Sequence, residues 1–371
     1  MGNSTEDKIT IHIVNSVKGG CGKTAFSLFK AMELAKKDRI DYFDAVAKGD
    51  KDEKDRLRRG KNAPVIWIDA DFKGTATKVL FYGEDERAFE LINQMTIDKL
   101  EEEAPDIFDA PSLGSQDKLC FKEKYVRYTL NDYLQEKIRE YEKMIVNGYA
   151  YYRSEDDPLD PEGKEATRCI DGVIDFIFSS PNINDKKAFN HGEHTPSIEI
   201  GRFTSLMEVL ITKLVEIGRT DTKAVGESDK RYDYKHIVID MPPGDDAYSN
   251  ALLHMLRQLA KRRADEIEIA LYTLTTSDRG HIYAMKESLK DTLQKVKKYG
   301  YKETIYAVLG EIRKNEFGNS EKENCIKEIN KIDNAKDIHT ILCTYQQAYY
   351  ENCRNVGLMM QDFGYRLEGE T

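Results

Sequence analysis

The amino-acid sequence predicts an α/β protein whose mostly parallel, doubly wound sheet carries a helical insertion between its second and third strands. Short apolar runs alternate along the chain with longer amphipathic stretches, which is the pattern of parallel strands joined by crossover helices. A glycine-rich loop joins the first apolar run to the first amphipathic stretch. The second and third apolar runs are separated by ~100 residues, far more than one crossover needs.

The composition excludes several classes of protein. The length of 371 residues is compatible with about two or three domains, and one large α/β domain fits it as well. The net charge of −10 does not favour a protein that coats nucleic acid or an anionic membrane. No apolar run is long enough to span a membrane, and the first residues lack the pattern of a secretory signal. The six cysteines are scattered without a CxxC pair, which argues against a zinc knuckle and indicates reduced thiols in a cytoplasmic protein.

Seven apolar runs predict the strands, because strands buried on both faces show little polar alternation. In chain order they are Lys8–Asn15, Pro64–Ala70, Gly172–Ser179, Tyr234–Met241, Glu266–Leu274, Thr304–Ile312 and Asp337–Cys343. Apolar residues at helical spacing predict the flanking helices. Those with clear boundaries are Lys23–Lys37, Phe203–Gly218 and Ala247–Arg263.

The chain between the second and third strands is predicted to form a tyrosine-rich helical insertion. Its apolar residues recur at near-helical spacing, at Leu130, Leu134, Ile138, Tyr141 and Ile145. The polar stretch Tyr149–Arg168 is predicted to be a mobile loop. These boundaries divide the chain into a first part of the core (1–100), the insertion (101–168) and the remainder of the core (169–371).

The glycine-rich loop Val17–Thr24 (VKGGCGKT) has the context of a phosphate-binding loop, because it follows a predicted strand and opens a predicted helix. Glycines let backbone N–H groups point at phosphate oxygens, and the helix N-terminus adds partial positive charge. Lys23 can reach the β- and γ-phosphates, and the Thr24 hydroxyl can coordinate Mg²⁺. The predicted nucleotide-binding residues are Lys18, Gly19, Gly20, Cys21, Gly22, Lys23, Thr24 and Ala25. The alternative is a glycine-rich turn that contains GKT by chance.

The motif KGGCGKT, with Lys18 ahead of the glycine pair, resembles the deviant Walker A motif of the ParA/MinD family of P-loop ATPases. Ile68–Thr77 (IDADFKGTAT) is similar to the switch I segment of that family, and His236–Gly244 (HIVIDMPPG) is similar to its Walker B strand and switch II. Thr275–Gly280 (TTSDRG) resembles the segment that follows the family's fifth strand. The resemblance covers the sheet, excludes the insertion and implies a Rossmann-like P-loop NTPase fold.

The resemblance also implies a role for each matched residue. Lys18 is expected to cross a dimer interface and contact the partner's nucleotide, and Asp71 is expected to orient or activate the attacking water. Asp240, at the end of the Walker B strand, is expected to hold Mg²⁺ together with Thr24. The predicted catalytic residues are therefore Lys18, Lys23 and Asp71.

The chain departs from the family at two places. Phe72 and Lys73 stand where proline and glutamine are common. Gly310 and Glu311 stand near the position where the family usually has an asparagine that reads the base. ATP is therefore expected because the family uses it, and no residue here distinguishes adenine from guanine.

The predicted function is slow ATP hydrolysis coupled to a homodimer that sandwiches two ATP–Mg²⁺, with the positioning of DNA or a large protein complex as its output. Three alternatives stay open. One is a non-hydrolysing localisation scaffold, which the complete set of Lys18, Lys23, Thr24, Asp71 and Asp240 argues against. The others are a metabolic or cofactor-assembly enzyme on the same scaffold, and a tyrosine autokinase suggested by the 21 tyrosines.

Two surfaces are candidates for partners. Residues 101–168 are a candidate partner-binding surface, because tyrosine is enriched at interfaces; packing of the insertion onto the sheet is the alternative. A basic helix face is a candidate contact for non-specific DNA, with an ordinary solvated face as the alternative. Its residues are Arg257, Lys261, Arg262 and Arg263.

Two other patterns are given less weight. His191 and His194 could seat a metal, but their polar surroundings are typical of a surface loop. Residues 355–371 lack the basic amphipathic pattern of a membrane-targeting helix, so no membrane anchor is expected.

Overall fold

A computed structural model gives the structure of the protein over residues 8–48, 63–72, 76, 120–121, 128–153, 168–180, 197–219, 234–244, 247–312 and 316–344. The strands in these ranges are β1 (Ile9–Ser16), β2 (Val65–Asp69), β3 (Cys120–Phe121), β4 (Val146–Arg153), β5 (Arg168–Ile177), β6 (His236–Asp240), β7 (Ile267–Thr275), β8 (Glu303–Ile312) and β9 (Ile338–Thr344). The helices are α1 (Lys23–Lys48), α2 (Leu130–Leu134), α3 (Ser197–Arg219), α4 (Ala247–Arg262), α5 (Arg279–Tyr299) and α6 (Glu316–Ile329).

Seven neighbouring strands of the sheet are parallel, and they correspond one to one with the seven strands predicted from the sequence. The strand order is β3-β4-β5-β2-β6-β1-β7-β8-β9, and every pairing from β5 to β9 is parallel. β1 lies between β6 and β7, so the loop after β1 opens at the centre of the carboxyl edge of the sheet. The predicted fold class is therefore confirmed.

The described part of the insertion is only partly helical. Leu130–Leu134 forms the short helix α2 and Tyr141–Met144 forms a 3-10 turn, but Val146–Arg153 is the strand β4. β4 pairs antiparallel with β5 as far as Arg153, and β3 pairs antiparallel with β4. The predicted helical periodicity is therefore wrong beyond α2, and the predicted loop is wrong over its first residues. The three-part division of the chain stays a prediction.

Three tyrosines of the insertion pack against the core of the protein. Tyr133 is buried, and Tyr128 and Tyr141 are half-buried against the core beneath α3 and α4. For these three residues the structure supports the packing alternative. The rest of the candidate partner surface, outside 120–121 and 128–153, lies outside the described residues, as do His191, His194 and 355–371.

Two of the three apolar clusters among the described residues fix α1, α3 and α4 on the sheet, and the third packs α5 and α6 against β8. On one face, α1 packs Phe26, Leu28 and Ala31 onto strand residues that include Trp67 and Phe176. On the other face, α3 and α4 pack onto alternate residues of the same strands, with Met207, Leu210, Leu252, Leu256, Ile11, Ile13, Ile66 and Ile239 among the buried side chains. Within the described residues, no helix is long and apolar enough to cross a bilayer.

A buried histidine pair lies under α1 in the middle of the sheet. His12 Nε2 lies 3.2 Å from His236 Nδ1, and His12 Nδ1 lies 3.2 Å from the Tyr272 hydroxyl. Burial, with a smaller contribution from the neighbouring ring, lowers the pKa of His12 well below its usual range. Burial and the Lys235 ammonium lower the pKa of His236 to about 4. Both rings are therefore neutral at neutral pH.

This pair predicts a loss of stability in mild acid. Unfolded histidine takes up a proton near pH ~6.5, whereas folded His236 does so only at about 4. The stability present above the unfolded pKa is therefore lost as pH falls through that window. We expect the melting temperature to fall more steeply between these values for the wild type than for His12→Gln, which removes one titrating ring. Equal slopes in thermal melts of the two proteins would contradict the assignment.

Candidate nucleotide-binding site

The glycine-rich loop connects β1 to α1 as predicted, and two of its glycines have a backbone that only glycine adopts easily. The φ angles of Gly20 and Gly22 are +81° and +72°, in the left-handed region. Lys18, Gly19 and Gly20 are exposed, whereas Cys21 and Lys23 are buried. The loop therefore presents its first half to solvent and anchors its second half in the core.

A buried ion pair joins this loop to the end of the Walker B strand. Lys23 Nζ lies 2.7 Å from Asp240 Oδ1, and both side chains are almost fully buried. Asp240 is the last residue of β6, directly beside Val14 of β1 and Asp69 of β2. The parallel register thus brings the predicted phosphate-binding lysine and the predicted metal ligand into direct contact.

Two buried carboxylates lie at this edge with unused oxygen atoms. Asp240 Oδ2 and Asp69 Oδ2 have no hydrogen-bond partner among the described residues. Burial, followed by the charges of Asp240 and Asp71, raises the pKa of Asp69 well above its usual range. Burial also raises the pKa of Asp240, although Lys23 and the Thr24 hydroxyl favour its charged form. Burial therefore disfavours the charged forms of both carboxyl groups, and the Lys23 ammonium directly stabilises the charged form of Asp240.

These oxygens fit a divalent cation of the Mg²⁺ type. Mg²⁺ prefers hard oxygen ligands, and proteins usually bind it through one or two carboxylates together with phosphate oxygens. The Asp240 carboxylate at the end of β6 interacts with the Thr24 hydroxyl in the first turn of α1, and their role as metal ligands stays a prediction. Asp69 adds a third oxygen donor that the sequence analysis had not assigned to the metal.

The described part of the switch I segment is held by Asp69. The Asp71 backbone N–H donates to Asp69 Oδ1 at 3.0 Å, and Asp71 itself is half-buried. Phe72, which replaces the proline common in the family, packs its ring against Tyr248 of α4 with centroids 4.9 Å apart. The structure therefore places Asp71 within two residues of the buried carboxylate pair, on a short turn anchored from both sides.

Lys18 lies beside the N-terminus of α5. A Cβ added to Gly280 would lie 3.2 Å from Lys18 Nζ and 3.0 Å from Asp278 Oδ1. Asp278 caps α5 by accepting from the N–H groups of Gly280 and His281, which, with Lys18, lowers the pKa of its carboxyl. The sequence analysis singled out Lys18 and this segment separately, and the structure brings them together.

The loop also lies close to β8 and to α5. A Cβ at Gly310 of β8 would lie 3.5 Å from the carbonyl oxygen of Cys21 and 3.5 Å from that of Thr275, so this residue, near the position where the family usually has an asparagine, lies close to the loop. The Cys21 thiol donates to the Lys18 carbonyl at 3.2 Å and lies 3.6 Å from His281 Nδ1. The sequence analysis did not identify His281 as a neighbour of the loop.

The predicted DNA surface on α4 is wrong for Arg257. Its guanidinium is buried and donates to both carboxylate oxygens of Glu303, at 2.8 Å and 2.6 Å. A bidentate buried pair of this kind is not available to phosphates. The other three cations also have acceptors on the chain: Lys261 donates to the Tyr299 carbonyl, Arg262 pairs with Glu208, and Arg263 pairs with Glu266.

Comparisons with known proteins bear on the fold. No family model matches the chain, and no curated protein matches it. The McdA(D38A)–ATP complex of Cyanothece is similar over 97% of this chain and 92% of that one, with 12% identity and a TM-score of 0.48. The cell division ATPase MinD of Pyrococcus furiosus and the MinD cell division protein of Aquifex aeolicus are each similar over 97% of this chain and 92% of theirs, both at 11% identity, with TM-scores of 0.42 and 0.41. The sheet order of this chain and its glycine-rich loop between β1 and α1 give the predicted Rossmann-like P-loop NTPase fold.

Proposed function

We propose that the chain is a ParA/MinD-like ATPase, which binds ATP with Mg²⁺, forms a homodimer in that state and hydrolyses ATP slowly. One observation carries the proposal. The buried Lys23–Asp240 ion pair joins a glycine-rich loop to the end of a neighbouring parallel strand, beside a second buried carboxylate. A lysine and an aspartate that served only the fold would not have to lie on a glycine-rich loop and at the carboxyl end of a parallel strand, which is where phosphate and metal ligands are expected.

Nucleotide binding is proposed to exchange the partners of this ion pair. The phosphates enter the exposed half of the loop, where backbone N–H groups and the N-terminus of α1 favour negative charge. Lys23 then turns from Asp240 to the β- and γ-phosphate oxygens. The exchange replaces one charge-assisted contact with another, so the buried ammonium keeps an anionic partner throughout.

Asp240 and Thr24 are the residues that would hold Mg²⁺ in this state, with Asp69 nearby. When bound, the cation neutralises charge on the β- and γ-phosphates. When Lys23 leaves Asp240 for the phosphates, the Asp240 carboxylate loses its cationic partner and could then bind the metal ion. Lysine and metal would thus occupy the same carboxylate one after the other.

Hydrolysis is proposed to need Asp71 to orient the attacking water. Phosphoryl transfer to water depends mainly on positioning and charge compensation rather than on covalent chemistry. The hydrogen bond from the Asp71 N–H to Asp69 fixes the backbone of this turn against β2.

Lys18 is proposed to reach the phosphates of a second copy, because it is exposed at the mouth of the loop. The cycle of dimerisation and hydrolysis is proposed to position DNA or a large protein complex. Arg257 is not proposed to contact DNA, because it is buried against Glu303.

The single tryptophan offers a direct test of nucleotide binding. Trp67 Nε1–H donates to Ser27 Oγ at 3.0 Å, and the Ser27 hydroxyl donates to the Thr24 carbonyl at 2.8 Å. Rearrangement of Lys23 and Thr24 should therefore change the Trp67 emission. We expect a saturable change with ATP–Mg²⁺, none in Trp67→Phe, and slow release of phosphate from the wild type. No emission change, no calorimetric binding and no phosphate release would together reject the proposal.

A further inference from the structure

We propose that Ser179 and Asn131 are positioning residues for the turn that carries Asp71, so that the short helix α2 of the insertion sets the rate of hydrolysis. The inference rests on the proposed function, because it assigns these residues to the same site. Neither residue belongs to the loop or to the strands that carry the predicted catalytic side chains. They act through the backbone of Asp69.

The first step runs from Ser179 to Asp69. The Ser179 hydroxyl donates to the Asp69 backbone carbonyl at 2.7 Å, and both residues are fully buried. The ladder between β2 and β5 ends at Ile68 and Ile177, one residue before Asp69. The Ser179 side chain therefore attaches β2 to the chain that follows β5 at Asp69, one residue beyond the end of the ladder.

The second step runs from Asp69 to Asp71. Asp69 Oδ1 accepts the Asp71 N–H at 3.0 Å, so the position of the Asp69 backbone determines where the turn begins. A carboxylate that orients water is sensitive to small displacements, since a shift of ~1 Å can cost ~100-fold in rate. Loss of the Ser179 hydroxyl should therefore affect turnover more than nucleotide binding.

The third step connects this chain to the insertion. Asn131 of α2 is fully buried, and its Oδ1 accepts the Ser180 N–H at 2.8 Å. The N–H of Leu130 donates to the Phe178 carbonyl at 2.8 Å. The first two residues of α2 thus hold the chain on both sides of Ser179. Asn131 Nδ2 is also buried without a partner among the described residues, an unfavourable arrangement that packing alone does not explain.

The experiment compares turnover with binding in matched variants. In Ser179→Ala we expect kcat to fall about tenfold, a barrier change of about 1.4 kcal/mol, while the ATP dissociation constant stays within about twofold. Ser179→Cys, which keeps the shape of the side chain with a weaker hydrogen-bond donor, should have a kcat between those of the wild type and Ser179→Ala. Asn131→Ala should lower kcat in the same direction. Tyr234→Phe is the control, because it removes a buried hydroxyl that donates to Asp175 of the same strand β5 at 2.8 Å.

The outcomes separate this inference from the proposed function. A wild-type kcat in Ser179→Ala, with hydrolysis lost in Asp71→Ala, would overturn the positioning role alone. Parallel losses of kcat and ATP affinity in Ser179→Ala and Tyr234→Phe would also overturn it, because they indicate general destabilisation. Wild-type hydrolysis in Asp71→Ala would reject the proposed function itself.

Discussion

Replacing Lys23 with alanine is expected to weaken ATP–Mg²⁺ binding about 100-fold, because a charge-assisted contact to phosphate is worth up to about 3 kcal/mol. The loss has a second source in this structure. Without the ammonium, Asp240 and Asp69 remain as two buried carboxylates that repel both each other and the phosphates. Isothermal titration calorimetry on the purified variant measures the effect, and unchanged affinity would reject the assignment of the loop.

Two further variants separate binding from folding in this test. Lys23→Gln keeps a hydrogen-bond donor on a side chain one atom shorter than that of lysine, so it should disturb the buried carboxylates less than alanine does, yet it lacks the charge that phosphates need. Lys30→Ala removes another lysine of α1, which pairs with Glu33 and lies 5.9 Å from the centroid of the Tyr272 ring. We expect Lys23→Gln to lose binding and Lys30→Ala to keep it, with circular dichroism confirming the fold of both.

The parallel sheet could be predicted from the sequence because each of its strands is a short, predominantly apolar segment that alternates with a longer amphipathic one. β4 could not, since the spacing of Leu130, Leu134 and Ile138 favours a helix and nothing local shows that Val146–Arg153 pairs with β5. Antiparallel pairing of this kind is decided by tertiary contacts, which override weak local preference. The two-residue β3 is too short to leave any pattern at all.

The candidate site shows the same limit. The loop and the Walker B strand follow from contiguous motifs, but their contact joins Lys23 to Asp240 across 217 positions. The roles of Ser179 and Asn131 depend on hydrogen bonds across 110 and 49 positions, and a serine after a strand carries no signal of its own. The DNA contact predicted for Arg257 was wrong for a related reason, because the sequence does not show that Glu303 lies beside Arg257 in the fold.

Lys18→Ala and Asp71→Ala are expected to fail at different steps, which tests the dimer directly. Asp71→Ala should bind ATP and dimerise but lose about 100-fold or more in kcat, since the proposed role of this carboxylate is to orient the attacking water. Lys18→Ala should bind ATP as a monomer and fail to dimerise, because the charge compensation proposed for Lys18 acts in trans, as that of an arginine finger does. Light scattering after size exclusion, with ATP–Mg²⁺ present, distinguishes a long-lived dimer from a monomer.

The position of Lys18 makes this result specific. Its ammonium lies beside Asp278 and Gly280 of its own chain, but Asp278 is exposed, and exposed pairs contribute little. That contact therefore does not prevent Lys18 from reaching a second copy. Lys295→Ala, which removes an exposed lysine near the other end of α5, should dimerise and hydrolyse like the wild type. If Lys18→Ala also does so, Lys18 has no role in trans, and the chain acts as a P-loop NTPase without a shared site.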